Sequence, residues 1–379
     1  KKAANVGVDA LIIVDLPPEE SAEFGEVLKP YGIDQIFLIS PTTQGRRLDR
    51  ICEIATGFLY YVSLKGVTGS SQLDVNSIKD KLNEIRSKTL LPLGVGFGIK
   101  DPQIAEDVGR VCDAVIVGSD QVWRMEYTKG LGLNNFLDFV PYGIKKIAYA
   151  ASFGKDSFDG NLETTKKVEL LLSQFNAVSV REDRGVVICK DSFNVVAKHL
   201  IDPVLLLSAL EYGKIIKEEK SKSKAKFIAH YILDPAVKKS EMINKIAKLN
   251  NINTCNIYRE SDENFSIKKF DFSIKKYRYP SFSSWLKGLK DAEFVITDSY
   301  HGAVFSILFN KQFICIANKK RGVSRLASLL KKFQIEDRLV WETDSFCFDI
   351  KKNQINYKAV NQILDNERFK SIKFIKDAL

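Results

Sequence analysis

The stretch that most constrains the fold of this chain is Asp113-Ala-Val-Ile-Val-Gly-Ser-Asp-Gln-Val-Trp123. A short β-branched run followed by a glycine turn is typical of a parallel sheet, so Ala114–Val117 is predicted to be a buried strand. The turn at Gly118 and Ser119 is predicted to lead into a helix. Loops after such strands commonly bind ligands in α/β folds, and the backbone N–H groups of Gly118 and Ser119 are candidate donors to an anion.

The length and composition are those of a multidomain globular protein. With 379 residues, of which 45% are hydrophobic, the chain is long enough for about two or three domains with buried cores. It contains no run of about 18 apolar residues, so no membrane span is predicted and membrane contact is at most peripheral. The first residues lack the pattern of a signal peptide, and a cytoplasmic protein is expected.

Basic side chains are concentrated after residue 118. The first 118 residues carry 13 basic and 16 acidic side chains, whereas the rest of the chain carries 44 and 31. Such an excess is typical of proteins that bind nucleic acid, an anionic membrane surface or small anions. The lysines of this part mostly lie in stretches that read as solvated helices, such as 214–226, and no aromatic residues alternate with them there. Nucleic acid is therefore not predicted to be a partner.

The spacing of cysteine and histidine gives no support for a metal centre. The six cysteines form no C-x-x-C pair, and His199, His230 and His301 are not at metal-ligand spacing. Reduced, buried thiols are expected, with no metal and no cofactor.

Residues 1–118 alternate between strand and helix patterns. Strands are predicted at 11–14, 35–39, 58–63, 93–96 and 114–117. One helix is predicted to begin at residue 17, and others to span 47–55, 75–88 and 102–110. This alternation is typical of βαβ units with a parallel sheet. Glycine-containing loops follow the last three strands, and in (β/α)₈ barrels late loops of this kind commonly bind phosphate. The alternative is that these glycines only form tight turns.

Three motifs in this part resemble the tryptophan synthase α-chain family. They are Val14-Asp-Leu-Pro-Pro-Glu-Glu-Ser21, Phe58-Leu-Tyr-Tyr-Val-Ser-Leu-Lys-Gly-Val-Thr-Gly69 and Leu93-Gly-Val-Gly-Phe-Gly-Ile99. The resemblance covers residues 3–118 and implies the later part of that family's barrel, strands four to eight. The positions that would correspond to its substrate and phosphate contacts are Tyr60, Gly69, Phe97, Gly98, Gly118 and Ser119.

The same resemblance implies an incomplete barrel. The family's catalytic glutamate and aspartate lie in the earlier strands, which have no counterpart in these 379 residues. Without about three strands a barrel cannot close, and two sheet edges remain open. Cleavage of indole-3-glycerol phosphate is therefore not expected, although a tryptophan synthase β chain remains a candidate partner.

The rest of the chain resembles the polysaccharide pyruvyl transferase family. The motifs are Gly118-Ser-Asp-Gln-Val-Trp123, Ala148-Tyr-Ala-Ala-Ser-Phe-Gly154, Ser179-Val-Arg-Glu182, Asp202-Pro203 and Thr297-Asp-Ser-Tyr-His-Gly302. The resemblance implies two doubly wound, Rossmann-like halves in a glycosyltransferase-B-like arrangement, at 113–207 and 208–379, with a cleft between them. It also implies transfer of pyruvate from phosphoenolpyruvate to a sugar hydroxyl in cell-surface polysaccharide synthesis, so that the partners are a small-molecule donor and a saccharide acceptor.

Three residues are candidates for catalysis on this donor, a compact polyanion that needs fixed positive charge and oriented N–H groups. Arg181 follows a strand and either clamps the donor or is an exposed residue paired with Glu182 or Asp183. His301, at a strand-to-helix turn, can protonate the enol carbon, assist phosphate departure, bind phosphate or serve a structural role. Asp120 can accept the proton of the attacking hydroxyl or cap the following helix.

Further residues are predicted to bind the donor or to support the site. Asp298 is expected to brace the turn before His301. The candidates for substrate binding are Gly118, Ser119, Ser299, Arg321 and Arg325.

The two resemblances overlap at the Asp113–Ser119 stretch. No Gly-, Ser- or Pro-rich linker separates them, so a chimera is the leading interpretation. One alternative is a continuous α/β body in which the five N-terminal strands replace the first strands of the transferase fold. Another is a non-catalytic chimera that folds poorly.

Overall fold

The structure of the protein, a computed structural model, describes residues 10–12, 17–62, 75–96, 114–128, 132–216, 226–258, 280–318, 321–341 and 348–379. Within these ranges the fold is mixed α/β. Every strand pairing in them is parallel. The strands form three separate sheets, which we call the N-terminal, middle and C-terminal sheets.

The N-terminal sheet has four strands in the order β1-β2-β3-β4. They are β1 (Ala10–Ile12), β2 (Asp34–Ile39), β3 (Leu59–Val62) and β4 (Leu93–Gly96), accompanied by helices α1 (Ala22–Leu28), α2 (Gly45–Ile54) and α3 (Val75–Arg86). Ile39 and Tyr61 pack on Leu48 of α2 and Leu82 of α3, so one face of the sheet is covered by helices. Within the described residues β1 and β4 are edge strands, and the sheet is open.

The middle sheet has the order β5-β6-β7-β8. Its strands are β5 (Ala114–Val117), β6 (Lys145–Ala151), β7 (Ala177–Val180) and β8 (Lys198–His199), with helices α4 (Leu162–Leu172) and α5 (Asp183–Phe193). Its core is aromatic: the ring of Trp123 stacks on Phe136 at 5.5 Å between centroids and lies 5.1 Å from Phe153. Burying large aromatic side chains in this way contributes most of the apolar contact area of a small core.

The strand at the overlap of the two resemblances belongs to the middle sheet. Strand β5 pairs with β6, in the register Ala114↔Lys145 to Val117↔Ala148, and in the described part of the chain it has no pairing with β4. The alternative of a continuous body, with N-terminal strands extending the transferase sheet, is therefore wrong for these residues. Ile116 of β5 is 48% exposed, as an edge position allows.

The helix predicted after Gly118 and Ser119 is also wrong. Residues 118–128 form bends and turns. The N–H of Trp123 donates to the Ser152 carbonyl (3.1 Å) and its indole Nε1 donates to the Asn135 carbonyl (2.9 Å). These bonds and the buried indole hold the segment along the sheet, which outweighs its local helix signal.

The C-terminal sheet has the order β10-β9-β11-β12-β13. Its strands are β9 (Phe227–Tyr231), β10 (Asn253–Asn256), β11 (Phe294–Thr297), β12 (Gln312–Ile316) and β13 (Leu339–Val340). The helices of this region are α6 (Ala209–Ile215), α7 (Val237–Asn250), α8 (Phe282–Asp291), α9 (Tyr300–Leu308) and α10 (Val323–Lys332). The central strand β11 is fully buried and α9 is almost entirely so, as expected for a hydrophobic strand within a doubly wound parallel sheet.

A long C-terminal helix, α11 (Tyr357–Ala378), was not predicted from the sequence. Val360 and Leu364, in its first half, pack into the core beside α9, whereas Phe374 and Ala378, near its end, pack against the middle sheet. This helix therefore bridges the middle and C-terminal sheets. Among the residues described, even this longest helix lacks the apolar composition needed to cross a membrane.

Candidate functional site

The loops after strands of the middle and C-terminal sheets meet in one cluster of charged side chains. We call Arg181, Asp202, Tyr300, His301 and Arg325 the junction cluster. Arg181 follows β7 and is 2% exposed, and its Nη1 donates to Oδ2 of the fully buried Asp202 (2.9 Å). The alternative of an exposed Arg181 paired with Glu182 or Asp183 is therefore wrong.

His301 approaches Asp202 from the C-terminal sheet. Helix α9 begins at Tyr300, so His301 lies in the first turn of the helix and not in the turn before it. Its Nε2 is 3.7 Å from Oδ2 of Asp202, and its side chain is 46% exposed. Burial of Asp202 opposes its ionisation, but His301 and Arg181 outweigh this and hold the pKa of the carboxyl below its usual value. Asp202 thus links the two predicted catalytic residues.

Two guanidinium groups lie against the ring of Tyr300. The Cζ atoms of Arg181 and Arg325 are 4.5 Å and 5.6 Å from the ring centroid, a geometry that favours cation–π attraction. Burial and the neighbouring charge of Arg181 lower the pKa of Arg325 to about 10, so Arg325 still carries its charge at neutral pH. Nε and Nη2 of Arg181 and Nε of Arg325 have no hydrogen-bond partner among the described residues. Such donors can bind an anion.

The loop after β5 reaches the same cluster. Gly118 has open space around it, and the hydroxyl of Ser119 lies 3.5 Å from Oδ2 of Asp202. The carboxylate of Asp120 is exposed and lies 3.8 Å from Nη2 of Arg181. The alternative role of Asp120 as a helix cap is wrong, since its Oδ1 accepts only the N–H of Gln121 in a non-helical turn.

Other predicted substrate contacts are occupied by structural bonds. Ser299 is the N-cap of α9, and its hydroxyl accepts the N–H of Gly302 (3.3 Å). Arg321 forms a bidentate pair with Asp234, at 2.7 Å and 3.1 Å. Asp298 accepts bonds from the N–H groups of residues 233 and 234 and from Lys239 and Asn318, so it braces the turn as expected.

Of the phosphate contacts predicted in the N-terminal part at Tyr60, Gly69, Phe97 and Gly98, the structure describes Tyr60 alone. Tyr60 lies on β3, is half-buried and pairs with Gly94 of β4. Its side chain is on the opposite face of the strand from that of the buried Tyr61. Gly69, Phe97 and Gly98 lie outside the described residues. In the ranges that are described, no group of three or more His, Cys, Asp or Glu side chains is placed to hold a metal ion.

Sequence reasoning assigned no role to Tyr300 or Asp202, and it considered Glu182 only as a possible ion-pair partner of Arg181. All three belong to motifs quoted above. Tyr300 and Glu182 are sequence neighbours of the candidates His301 and Arg181, and Asp202 is the first residue of the Asp202-Pro203 motif. The missing signal was burial: Tyr300 is 5% exposed and the two carboxylates are fully buried, which a linear pattern of charged residues does not indicate.

Known proteins match the first third of the chain. A family model described as "Tryptophan synthase alpha chain" matches residues 1–135. The tryptophan synthase alpha chain of Thioalkalivibrio sulfidiphilus is 57% identical over 123 residues, 32% of this chain and 46% of that protein. That of Nitrosomonas europaea is 48% identical over 131 residues, 35% of this chain and 48% of that protein. The chain spans about half the length of the curated relatives it matches.

Solved structures give similar partial matches. The tryptophan synthase subunit alpha from Campylobacter jejuni is 39% identical, covers 31% of this chain and 47% of its own, and has a TM-score of 0.28. A chain from the tryptophan synthase α2β2 complex of Pyrococcus furiosus is 32% identical over 34% of this chain and 52% of its own, with a TM-score of 0.28.

The sequence matches confirm the N-terminal resemblance and extend it past β5 to residue 135. Residues 1–135 are therefore similar to tryptophan synthase α chains, whereas Arg181, Asp202, Tyr300, His301 and Arg325 lie beyond the matched region.

Proposed function

We propose that the chain combines two parts with different functions. The N-terminal part is a partial α-chain barrel that binds phosphate-bearing ligands or a tryptophan synthase β chain and has no lyase activity of its own. The family match to residues 1–135 carries this proposal. Capture of the purified chain by an immobilised β chain supports it; cleavage of indole-3-glycerol phosphate to indole by the 379-residue chain contradicts the expected loss of lyase activity.

For the rest of the chain we propose a group-transfer site for an anionic donor. The observation that carries it is the pair of buried guanidinium groups, Arg181 and Arg325: Nε and Nη2 of Arg181 and Nε of Arg325 lack hydrogen-bond partners in the described structure. His301 stands beside them in the first turn of α9, where a helix N-terminus also favours an anion. Fixed donors in a partly dry cleft stabilise developing negative charge more strongly than water does.

The donor that best fits this arrangement and the sequence resemblance is phosphoenolpyruvate, with a sugar as the acceptor. His301, held by Asp202, gives its proton to the methylene carbon C3, which makes C2 electrophilic. A sugar hydroxyl then attacks C2, and its proton passes to the exposed carboxylate of Asp120. A second hydroxyl of the sugar attacks C2 and expels inorganic phosphate, which leaves with that hydroxyl's proton beside Arg181 and Arg325. The product is a pyruvate ketal.

The two sheets that contribute these residues are proposed to form the halves of a glycosyltransferase-B-like arrangement. Residues 113–207 contribute Arg181, Asp202 and Asp120, and residues 208–379 contribute His301 and Arg325. In open parallel sheets ligands bind beyond the carboxyl ends of the strands, and these residues all follow strand ends.

The test is phosphoenolpyruvate-dependent release of inorganic phosphate in the presence of saccharide acceptors. We expect His301→Ala to lower the rate by at least about 100-fold without changing the melting temperature. Arg181→Lys removes the bidentate fork and should raise KM, whereas Arg184→Lys, three residues further on at an exposed position, should act as wild type. Undiminished transfer by His301→Ala overturns its role.

A further inference from the structure

The carboxylate of Glu182 is buried at the base of the junction cluster. It is fully buried and directly follows Arg181 in the chain. Its Oε1 accepts three hydrogen bonds, from the hydroxyl of Ser152 (3.0 Å) and from the N–H groups of Phe153 (2.8 Å) and Gly154 (3.1 Å). Its Oε2 has no partner in the described part of the chain. One carboxylate oxygen thus fixes the whole loop that follows β6.

That loop touches the start of α10 through two glycines. Gly154 and Gly322 have φ angles of +66° and +88°, and a Cβ on Gly322 would lie 2.2 Å from the carbonyl oxygen of Gly154. Gly322 is the residue before α10, the helix that carries Arg325. The position of the 152–154 loop therefore sets where α10 begins, and with it the position of Arg325.

The charges of Glu182 and of the junction cluster are consistent with a structural link between Glu182 and Arg325. Two buried cations, Arg181 and Arg325, lie with two buried anions, Asp202 and Glu182. Burial raises the pKa of the Glu182 carboxyl, and Arg181 and the three donors oppose that rise. A buried charge is retained at a tolerable cost only where such partners surround it.

We propose that Glu182 is a positioning residue: by holding the 152–154 loop against Gly322, it holds Arg325 beside Tyr300. It lies on the middle sheet and acts on a residue of the C-terminal region across the junction. Any effect of Glu182 on catalysis rests on the proposed donor site, because the position of Arg325 affects catalysis only if Arg325 binds the anionic donor.

The structural part of the proposal is tested without any ligand. Unfolding by urea is measured for wild type, Glu182→Leu, Gly322→Ala and the double variant, with Glu182→Asp, which withdraws the acceptor by one methylene, replacing Glu182→Leu if the latter does not fold. We expect the double variant to lose less than the sum of the single losses, because both changes disrupt one contact. Strictly additive losses overturn the connection between Glu182 and Gly322.

The functional part is tested with inorganic phosphate as the probe. Loss of a negative charge near two arginines should by itself tighten anion binding. A positioning role predicts the opposite: Glu182→Leu, which removes the acceptor as well as the charge, weakens phosphate binding about tenfold in the otherwise wild-type chain and has no effect in an Arg325→Ala background. The matched control is Asp183→Asn, which removes the neighbouring, more exposed carboxylate and should leave binding unchanged or slightly tighter.

The outcomes separate the two proposals. If wild type binds neither phosphate nor phosphoenolpyruvate, the donor site is wrong, while the unfolding cycle still decides whether Glu182 and Gly322 are coupled. If phosphate binds but Glu182→Leu tightens its binding, or weakens it equally in the Arg325→Ala background, the positioning role of Glu182 is wrong and the donor site stands.

Discussion

Nη1 of Arg181 and Oδ2 of Asp202 are 2.9 Å apart, with side chains 1% and 0% exposed. The two residues are 21 positions apart in the sequence and follow adjacent strands, β7 and β8. The pair lies at the buried side of the candidate donor site and orients the carboxylate of Asp202 toward His301.

Breaking this pair should destabilise the protein strongly. Asp202→Ala leaves the buried guanidinium of Arg181 without its hydrogen-bonded anion, and we expect a loss of about 3–5 kcal/mol in the free energy of unfolding. Urea denaturation monitored by tryptophan fluorescence measures it. Asp120→Ala removes an exposed carboxylate 3.8 Å from the same arginine and should cost less than about 1 kcal/mol. Equal losses in the two variants would show that the buried geometry is unimportant.

His199 should make stability depend on pH in mildly acidic solution. It is the last residue of β8 and faces α10: its Nε2 is 3.2 Å from the Arg181 carbonyl and 3.4 Å from the Ser328 hydroxyl. Burial, reinforced by Lys332, lowers its pKa from 6.5 to about 4, although Asp183 and Glu367 partly oppose this. The unfolded imidazole therefore binds a proton between about pH 6.5 and pH 4 when the folded one does not.

The free energy of unfolding should consequently fall as the pH drops through that window, by about 3 kcal/mol from this group. His199→Asn should lack this component, so denaturation curves of wild type and variant at pH 7, 5.5 and 4 isolate it. Parallel pH profiles for the two proteins would contradict the assignment.

Close approach at Gly322 should make it intolerant of a side chain. Gly322→Ala adds a Cβ 2.2 Å from a backbone oxygen and also forces alanine to φ +88°. We expect a loss of about 2–5 kcal/mol, of which about 1–2 kcal/mol reflects the backbone conformation. Gly143→Ala is the matched control, because its φ is +94° but no atom lies within 4 Å of the added Cβ. Its smaller loss measures the conformational part alone.

The C-terminal helix should contribute stability through its buried face. Phe374 of α11 is 5% exposed in the cluster with Tyr149 and Leu200, whereas Phe369 on the same helix is 70% exposed. Phe374→Ala should cost about 3–5 kcal/mol and Phe369→Ala less than about 0.5 kcal/mol. Similar melting temperatures for the two variants would mean that α11 does not hold the middle sheet.

Local patterns were sufficient for most elements. The strands predicted at 35–39, 58–63, 93–96 and 114–117 lie within a residue of their predicted bounds, because each has a clear hydrophobic pattern between turn residues. Helix α11 is not among the predicted elements, although Asn356, whose side chain accepts the N–H groups of Lys358 and Ala359, is a recognisable N-cap at its start. The 118–128 segment was misassigned because contacts of Trp123 with distant residues determine its path.

The amino-acid sequence by itself determined the parallel α/β character of the chain and the likeness of its first part to tryptophan synthase α chains. It also indicated Arg181 and His301 as candidate catalytic residues. Only the tertiary structure decided that β5 pairs with β6, that Ser299 and Arg321 already have structural partners, and that Asp202 joins Arg181 to His301. The physical reason is that strand pairing and burial depend on contacts between residues far apart in the sequence, and a linear motif carries no information about which polar groups those contacts leave unpaired.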